Sequence, residues 1–138
     1  MPGAANPTGT LFDLARRGMS AQLVRMNAAA SNLANAGSVA ASKETAYRPI
    51  RTVFAEELDR STGLSSVRVD AIVREDAQPV AQHMPGHPLA DADGNVWAAP
   101  VDENAEMVEI LDASRQYQNL VEALSTAKQL MLETLRSK

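Results

Sequence analysis

The 138-residue chain contains no cysteine, only 4% aromatic residues and no long apolar run. Because cysteine is absent, disulfide frameworks, thiolate metal sites and cysteine nucleophiles are excluded. No apolar run approaches the ~18 residues of a membrane-spanning helix, so we expect no direct membrane insertion. One Trp, two Tyr and two Phe are few for a compact core of this length. This composition argues against an ordinary enzyme.

Positive charge is also scarce, with 13 basic against 17 acidic side chains and a net charge of −4. Residues 1–42 carry +2, residues 43–105 carry −5 and residues 106–138 carry −1. No basic cluster is present, so we expect no nucleic-acid partner. The first ten residues have neither the positive nor the apolar segment of a cleaved signal peptide. If the protein is exported, we therefore expect another route.

What the chain does contain is apolar residues at helical spacing near both ends. The N-terminal stripe consists of Phe12, Met19, Met26 and Leu33, with Leu23 on its flank. This spacing predicts a helix over residues 10–36, preceded by a flexible lead-in over 1–9. Thr10 and Asp13 resemble an N-terminal capping box, and Gly37 is suited to a left-handed C-terminal cap.

The C-terminal segment repeats this pattern. Its stripe consists of Ile110, Tyr117, Leu124 and Met131, with Met107, Val121 and Leu135 beside it. The pattern predicts a helix over 104–136, capped by Asn104 and with Glu106 and Glu109 in its first turn. Two long helices with such stripes indicate a terminal coiled coil.

The middle of the chain, residues 37–103, is predicted to be an extended loop with a small β segment. Alternating apolar residues over 67–73 predict a half-buried strand, and residues 47–54 a second extended piece. Asp93 and Gly94 indicate a tight turn. The predicted fold is therefore mainly α with a small β part: paired long terminal helices joined by a short β-hairpin and loop segment.

Each predicted helix contains a long stretch that is unusually poor in charge. Arg25 is the only charged residue from Gly18 to Ser42, and Glu122 the only one from Gln116 to Ala127. A helix half exposed to water normally carries charges on its outer face. A monomeric bundle with scattered amides is the alternative, but helices surrounded by other subunits explain the pattern better. We predict that subunits pack through the two stripes with their flanking residues and through Asn27, Asn32 and Asn35.

Three patterns that suggest chemistry are each incomplete. Ser125 and Lys128 match a serine-enzyme motif, but its two accompanying elements are missing. His83 and His87 are separated by Pro and Gly, which prevent the helix that would align two metal ligands. Residues 91–95 resemble the start of a calcium loop, but the required later Gly and Glu are absent. We expect no catalytic residue, no metal site and no cofactor.

Several separated motifs resemble bacterial flagellar rod and hook axial proteins. Residues 18–36, with Asn32-Leu33-Ala34-Asn35 at their centre, resemble the N-terminal signature of this family. Residues 87–96, residues 106–118 and the Met-Leu-Glu-Thr-Leu ending resemble its proximal rod members. His87 stands where these proteins usually have Asn, and the usual Gly-Tyr-Lys after the first motif is missing. The resemblance covers about residues 11–136.

The resemblance implies a structural subunit of the basal-body rod, located in the periplasm and exported unfolded without a cleaved signal. It implies assembly into a hollow helical shaft that transmits torque from motor to hook. The implied partners are copies of itself, other rod proteins, the adaptor between rod and MS ring, the flagellar type III export apparatus and a rod-capping protein. Another rod protein, or a non-flagellar coiled-coil adaptor forming a discrete oligomer, is the alternative.

Overall fold

A computed structural model describes residues 7–137 of the chain, in which two long terminal helices flank a central β region. Helix α1 spans Pro7–Ala34 and helix α2 spans Glu103–Arg136. At 1.5 Å per residue they are about 42 and 51 Å long. They pack against each other and run antiparallel: Gly18 lies against Leu120, whereas Arg25, further along α1, reaches Asp112, earlier in α2. The predicted pairing of terminal helices is confirmed.

The predicted ends of helix α1 are wrong in two respects. The helix is already formed at Pro7, so Thr10 lies inside it and does not cap it. Of the predicted flexible lead-in, residues 1–6 lie outside the described residues and residues 7–9 are helical. Gly37 does not adopt a positive φ. The helix instead ends in turns, with Ala36 N donating to Leu33 O and Ser38 N to Asn35 O, which satisfy terminal carbonyls without a left-handed residue.

Helix α2 is capped by Asp102, and the prediction of Asn104 as its cap is wrong. The Asp102 backbone is extended, and its carboxylate accepts a hydrogen bond from the Ala105 backbone N–H at 3.2 Å. Asn104 already lies within the helix. Glu103 and Glu106 in the first turn and Arg136 in the last match the polarity of the helix dipole.

The long antiparallel ribbon of strands β2 (Ile50–Asp59) and β3 (Leu64–Arg74) is the largest β element. Strand β3 extends the predicted strand 67–73 in both directions, whereas β2 begins three residues after the start of the predicted piece 47–54 and ends five residues beyond it. Residue 70 is the extra residue of a bulge opposite Val53 and Phe54. The connecting turn is held by Asp59, whose Oδ1 accepts from the Ser61 N–H at 2.9 Å and from its hydroxyl at 2.6 Å. Gly63, with φ of +73°, completes this turn.

The ribbon runs alongside helix α1. Ile50, at the start of β2, is bonded to Asn32, near the end of α1. Further along the ribbon, Ser66 is bonded to Arg17, in the first half of α1. Seven residues of a strand and fifteen residues of a helix both span about 23 Å. The two contacts are therefore the same distance apart on the ribbon and on the helix. Helix α1 therefore packs against α2 and, along another part of its surface, against the ribbon.

A second, smaller sheet has the strand order β1–β5–β4. Its strands are β1 (Val39–Ala40), β4 (Val80–His83) and β5 (Asn95–Ala98), all antiparallel to their neighbours. Val96 in the central strand is fully buried. The predicted turn before β5 is confirmed: Gly94 has φ of +79°, and Asp91 Oδ1 accepts from the N–H groups of Asp93 and Asn95.

The buried apolar core is made almost entirely of small residues. Among the described residues it comprises Ala21, Ala28, Ala29, Ala46, Val96, Ala99 and Ala113. Small side chains let helix α1 approach its neighbours closely, but they bury little apolar area. Many Leu, Val, Ile and Met side chains are left exposed to solvent. The single chain therefore covers only part of its own apolar surface.

Candidate assembly surface

A buried amide joins the end of helix α1 to the start of the ribbon. Asn32 is completely buried, and its side chain bonds to both backbone groups of Ile50. Its Nδ2 donates to Ile50 O at 2.9 Å, while its Oδ1 accepts from Ile50 N at 2.8 Å and from the Tyr47 hydroxyl at 2.7 Å. Since the Tyr47 proton goes to Asn32, the Ser31 hydroxyl, 3.1 Å away, is the donor to Tyr47.

The centre of the helix pair is held by Arg25. Its Nε donates to Glu109 and its Nη2 to Asp112 at 2.7 Å, so that one guanidinium bridges two carboxylates one turn apart on α2. The hydrogen bond from Arg25 holds the pKa of Glu109 below its ordinary value, against the opposing effect of partial burial. The same bond raises the pKa of Arg25. Arg25 and Glu109 are therefore both charged near neutral pH.

A second arginine ties the ribbon to helix α2. Arg51, in β2, donates to Glu106 Oε1 at 2.5 Å, and this carboxylate is only 1% exposed. Glu106 Oε2 has no hydrogen-bond partner among the described residues, so the Arg51 contact at Oε1 and the N-terminal end of the helix dipole compensate the buried carboxylate. Arg51 Nε also lies 3.5 Å from Oε1 of Glu75, the residue that follows β3. Loss of one partner of a buried pair leaves an uncompensated charge, which is strongly destabilising.

These polar clusters fix the helices and ribbon, and they leave one side of α1 free. Its exposed positions from residue 20 onward are three or four apart and carry no charge: Ser20, Leu23, Asn27, Ala30 and Ala34. Helix α2 also exposes apolar side chains, namely Met107, Leu111, Val121, Leu132 and Leu135, although charged residues such as Lys128 and Arg136 are exposed beside them. A surface helix that faced only water would carry charges along its exposed side, which α1 lacks from residue 20 onward.

The predicted packing residues fall into three groups. The two stripes Phe12, Met19, Met26, Leu33 and Ile110, Tyr117, Leu124, Met131 are half-buried. Their flanking residues Leu23, Met107, Val121 and Leu135 are exposed, as is Asn27. Asn32 and Asn35 bond within their own chain, the latter to the Ser31 carbonyl at 2.8 Å. A groove of about 360 Å³ between the helices, lined in part by Phe12, Met19 and Leu124, leaves the stripes open.

The residues that were considered as catalytic or metal-binding candidates, and rejected, lie at separate places on the surface. Ser125 and Lys128 are exposed on α2. His83 Nδ1 lies 3.3 Å from Asn95 Oδ1, and His87 Nδ1 accepts a hydrogen bond from the Leu89 N–H at 3.0 Å. Within residues 7–137, no group of three or more His, Asp or Glu side chains is placed to hold a metal ion. Neither helix in that range is long and apolar enough to cross a membrane.

Sequence reasoning missed the ion pairs of Arg25 and Arg51. A signal for the first was present, because a lone charge in a neutral helix needs a partner when it is partly buried. Glu106 was expected only to favour the helix dipole, and its burial gave no sequence signal.

Comparison with known proteins places both helices in flagellar families. The family described as flagella basal body rod protein matches residues 12–38, and the one described as flagellar basal body rod FlgEFG protein C-terminal matches residues 92–137. The chain is 43% identical over 125 residues to the flagellar basal-body rod protein FlgC of Yersinia enterocolitica, and 41% identical to that of Salmonella typhimurium. Each comparison covers 91% of this chain and 93% of the relative. FlgC of Agrobacterium fabrum is 27% identical over 94% of each chain.

Proposed function

The chain belongs to the FlgC family of flagellar basal-body rod proteins, and we propose that it is a structural subunit of the proximal rod. In this role it polymerises with its neighbours into a hollow helical shaft that carries torque from the motor to the hook. The observation that carries the proposal is the uncharged exposed face of α1 together with the exposed apolar side chains of α2. Family membership favours this role over that of a non-flagellar coiled-coil adaptor.

The small core supports a subunit that is completed by its neighbours. Six alanines and one valine form the buried apolar core among the described residues, which is little for two helices of this length. The exposed Met107, Leu111 and Leu135 on α2 are at least half accessible. Burying such side chains against neighbouring helices contributes about 1.5–3 kcal/mol each. Contacts between unlike faces that do not close into a ring generate a helical polymer.

The partners that we propose follow from the family. They are copies of the chain, other rod proteins, the adaptor between rod and MS ring, the rod-capping protein and the flagellar type III export apparatus. The chain would leave the cytoplasm through that apparatus without a cleaved signal and assemble in the periplasm. The stripes, their flanking residues and Asn27 are the proposed contact residues between subunits.

Electron microscopy of basal bodies from a strain lacking this gene tests the proposal. We expect the inner-membrane ring to remain, while the rod and every structure distal to it are lost. Re-expression of the intact chain is the matched control and should restore rod and hook. Intact rods in the deletion strain would contradict the proposal. A rod whose base forms normally but whose distal part is missing would indicate that the chain is a different rod protein.

A discrete, stable oligomer in solution would instead indicate the coiled-coil adaptor. Sedimentation of the purified chain over a range of concentrations distinguishes the two. A polymerising subunit gives particles that grow with concentration, whereas an adaptor gives one fixed size.

A further inference from the structure

The β2–β3 ribbon lies against helix α1 with little apolar burial. Within residues 7–137, the backbone of its strands approaches α1 closely, but neither helix α2 nor the small sheet. Apolar side chains along the ribbon stay exposed, among them Leu58, Val67 and Ile72. Near its tip, the bond from Arg17 to Ser66 is long, at 3.4 Å, and joins exposed side chains. Because a two-stranded ribbon is marginally stable alone, its position must depend on stronger bonds elsewhere.

Those bonds lie side by side at the base of the ribbon. The N–H and C=O of Ile50 bond to the buried Asn32 side chain at 2.8 and 2.9 Å. The next residue, Arg51, donates to the buried Glu106 at 2.5 Å. We call these bonds, of Ile50 with Asn32 and of Arg51 with Glu106, the ribbon junction.

The two halves of the ribbon junction belong to different helices. Asn32 lies in the last turn of α1, and Glu106 lies in the first turn of α2. The ion pairs of Arg25 with Glu109 and Asp112 hold these two helix ends side by side. Consecutive residues of β2 can therefore reach both partners when α1 is helical to its last turn, α2 is helical from its first turn, and the helices are paired.

Each half of the ribbon junction also depends on the other. A ribbon that is bonded to Asn32 but not to α2 leaves the carboxylate of Glu106 buried without its cation, which is costly. A ribbon that is bonded to Glu106 but not to Asn32 leaves the N–H and C=O of Ile50 without their partners. Since the ribbon buries little apolar area, few other contacts offset either penalty.

We propose that the ribbon junction is a conformational device, which docks the ribbon on helix α1 only in a chain whose two helices are both folded and paired. The inference concerns folding within one chain and goes beyond the proposed function, which does not decide it. Formation of the helices and placement of the ribbon are then one cooperative step. The neutral face of α1 and the charged ribbon take their relative positions in that step.

Hydrogen–deuterium exchange with mass spectrometry tests the device in the full chain, under conditions where circular dichroism shows both helices formed. Glu106→Met replaces the buried carboxylate with an apolar side chain of similar length that favours a helix. We expect the amides of β2 and β3 to exchange about tenfold faster, with those of residues 12–30 and of the small sheet unchanged. The matched control is Glu103→Met, at an exposed position one turn earlier, which should leave the ribbon unchanged.

A double variant tests whether the two halves act together. Asn32→Leu removes the amide and keeps a side chain of similar size. If the ribbon needs both halves, the ribbon amides of Asn32→Leu/Glu106→Met should exchange no faster than those of the faster single variant. Effects that multiply in the double variant would show two independent bonds and would overturn the inference.

The dependence on helix α2 has its own test, which leaves the residues of the ribbon junction unchanged. Asp102→Ala removes the N-terminal cap of α2, and the looser first turn should speed exchange of the ribbon amides about fivefold. Ser137→Ala, at the other end of α2, is the control and should leave them unchanged.

The outcomes separate this inference from the proposed function. Faster exchange confined to the ribbon in Glu106→Met, together with the effect of Asp102→Ala, supports the device. An unchanged ribbon in either variant overturns it and leaves the rod subunit standing. Faster exchange throughout both helices of Glu106→Met would indicate a general loss of stability and would also overturn it.

Discussion

At the scale of single residues, the most constrained side chain is Asn32. It lies on a helix, yet its amide bonds to Ile50 in the way that a neighbouring strand would, through one donor and one acceptor. The same oxygen also accepts from Tyr47. An amide of this length supplies both functions at once, which neither Asp nor Leu can do. Asn32 therefore sets the position of the ribbon relative to helix α1.

Replacement of this amide should be costly. Asn32→Ala leaves the N–H and C=O of Ile50 without their side-chain partner and removes the acceptor of the Tyr47 hydroxyl, all at a partly buried position. We expect a loss of about 3 kcal/mol in the free energy of unfolding, measured as a lower urea midpoint for the helical circular dichroism of the polymerised protein. Asn104→Ala, at an exposed position, is the control and should stay within about 0.5 kcal/mol of the parent. Equal midpoints for the two variants would contradict this role.

Glu109 makes the helix pair sensitive to acid. Its folded-state pKa is lowered from the ordinary value of 4.5, chiefly by the hydrogen bond from Arg25. A lowered folded pKa means that the contribution to stability is present above about pH 4.5 and is lost as pH falls through the folded value. We expect the thermal midpoint of the polymerised protein to drop on acidification below that range.

The carboxamide variant provides the check. Glu109→Gln should have a lower thermal midpoint at neutral pH and a flatter dependence on acid. Glu122→Gln, at an exposed position on the same helix, should follow the parent at every pH. If Glu109→Gln retained the parent's acid dependence, other carboxylates would have to cause it.

At the scale of elements, helix α1 packs against α2 and against the ribbon, but mainly through small residues. Ala21, Ala28 and Ala29 on α1 and Ala113 on α2 are buried. Small residues permit close packing but contribute little burial energy. The larger apolar residues of both stripes are only half-buried. The pairing within one chain is therefore weaker than the length of the helices suggests.

We expect the terminal helices to be largely disordered before assembly and to fold as the chain adds to the rod. The entropy lost on ordering two long helices exceeds what the small core returns, until neighbours cover the stripes. Far-ultraviolet circular dichroism should show little helix at concentrations where sedimentation finds monomer, and much more after polymerisation. A monomer with both helices fully formed would contradict this expectation.

At the scale of the whole molecule, the exposed face of α1 and the ribbon differ in charge. The exposed face of α1 from Ser20 to Ala34 is neutral, whereas Glu56, Glu57 and Asp59 are exposed on the ribbon. Desolvating a charge is expensive, so neutral faces suit contact and charged ones suit water. This difference supports the proposal that subunits meet through helix α1.

A charge placed on the neutral face should stop assembly and leave the fold intact. We expect Asn27→Lys to reduce polymerisation strongly, because the ammonium would be buried between subunits without a partner. Sedimentation and electron microscopy measure the effect. Addition of a helix-promoting co-solvent should restore the helix content of the variant, which checks that it can fold. Gln78→Lys, in the exposed segment between β3 and β4, adds the same charge and should polymerise normally. Normal polymers of Asn27→Lys would exclude this face from the contact.

The sequence by itself determined the two terminal helices, the small β middle and the neutral helix surfaces. These properties depend on spacing and composition within one segment, and periodicity reports them directly. The resemblance of residues 18–36, 87–96 and 106–118 to flagellar axial proteins was also visible, because short motifs carry it. The first residue of α1 and the cap of α2 were predicted wrongly, since several polar residues near each end can serve as a cap.

Only the tertiary structure decided which distant residues meet. Arg25 bonds to residues on the other helix, Arg51 to the buried Glu106, and Asn32 to the backbone of Ile50. The partners in each case belong to different elements, and no local pattern links them. The length of the ribbon and its course along α1 were likewise decided by packing, because a two-stranded ribbon is marginal alone and needs a helix beside it. Sequence spacing determines what each element is, whereas the contacts among elements determine where it lies.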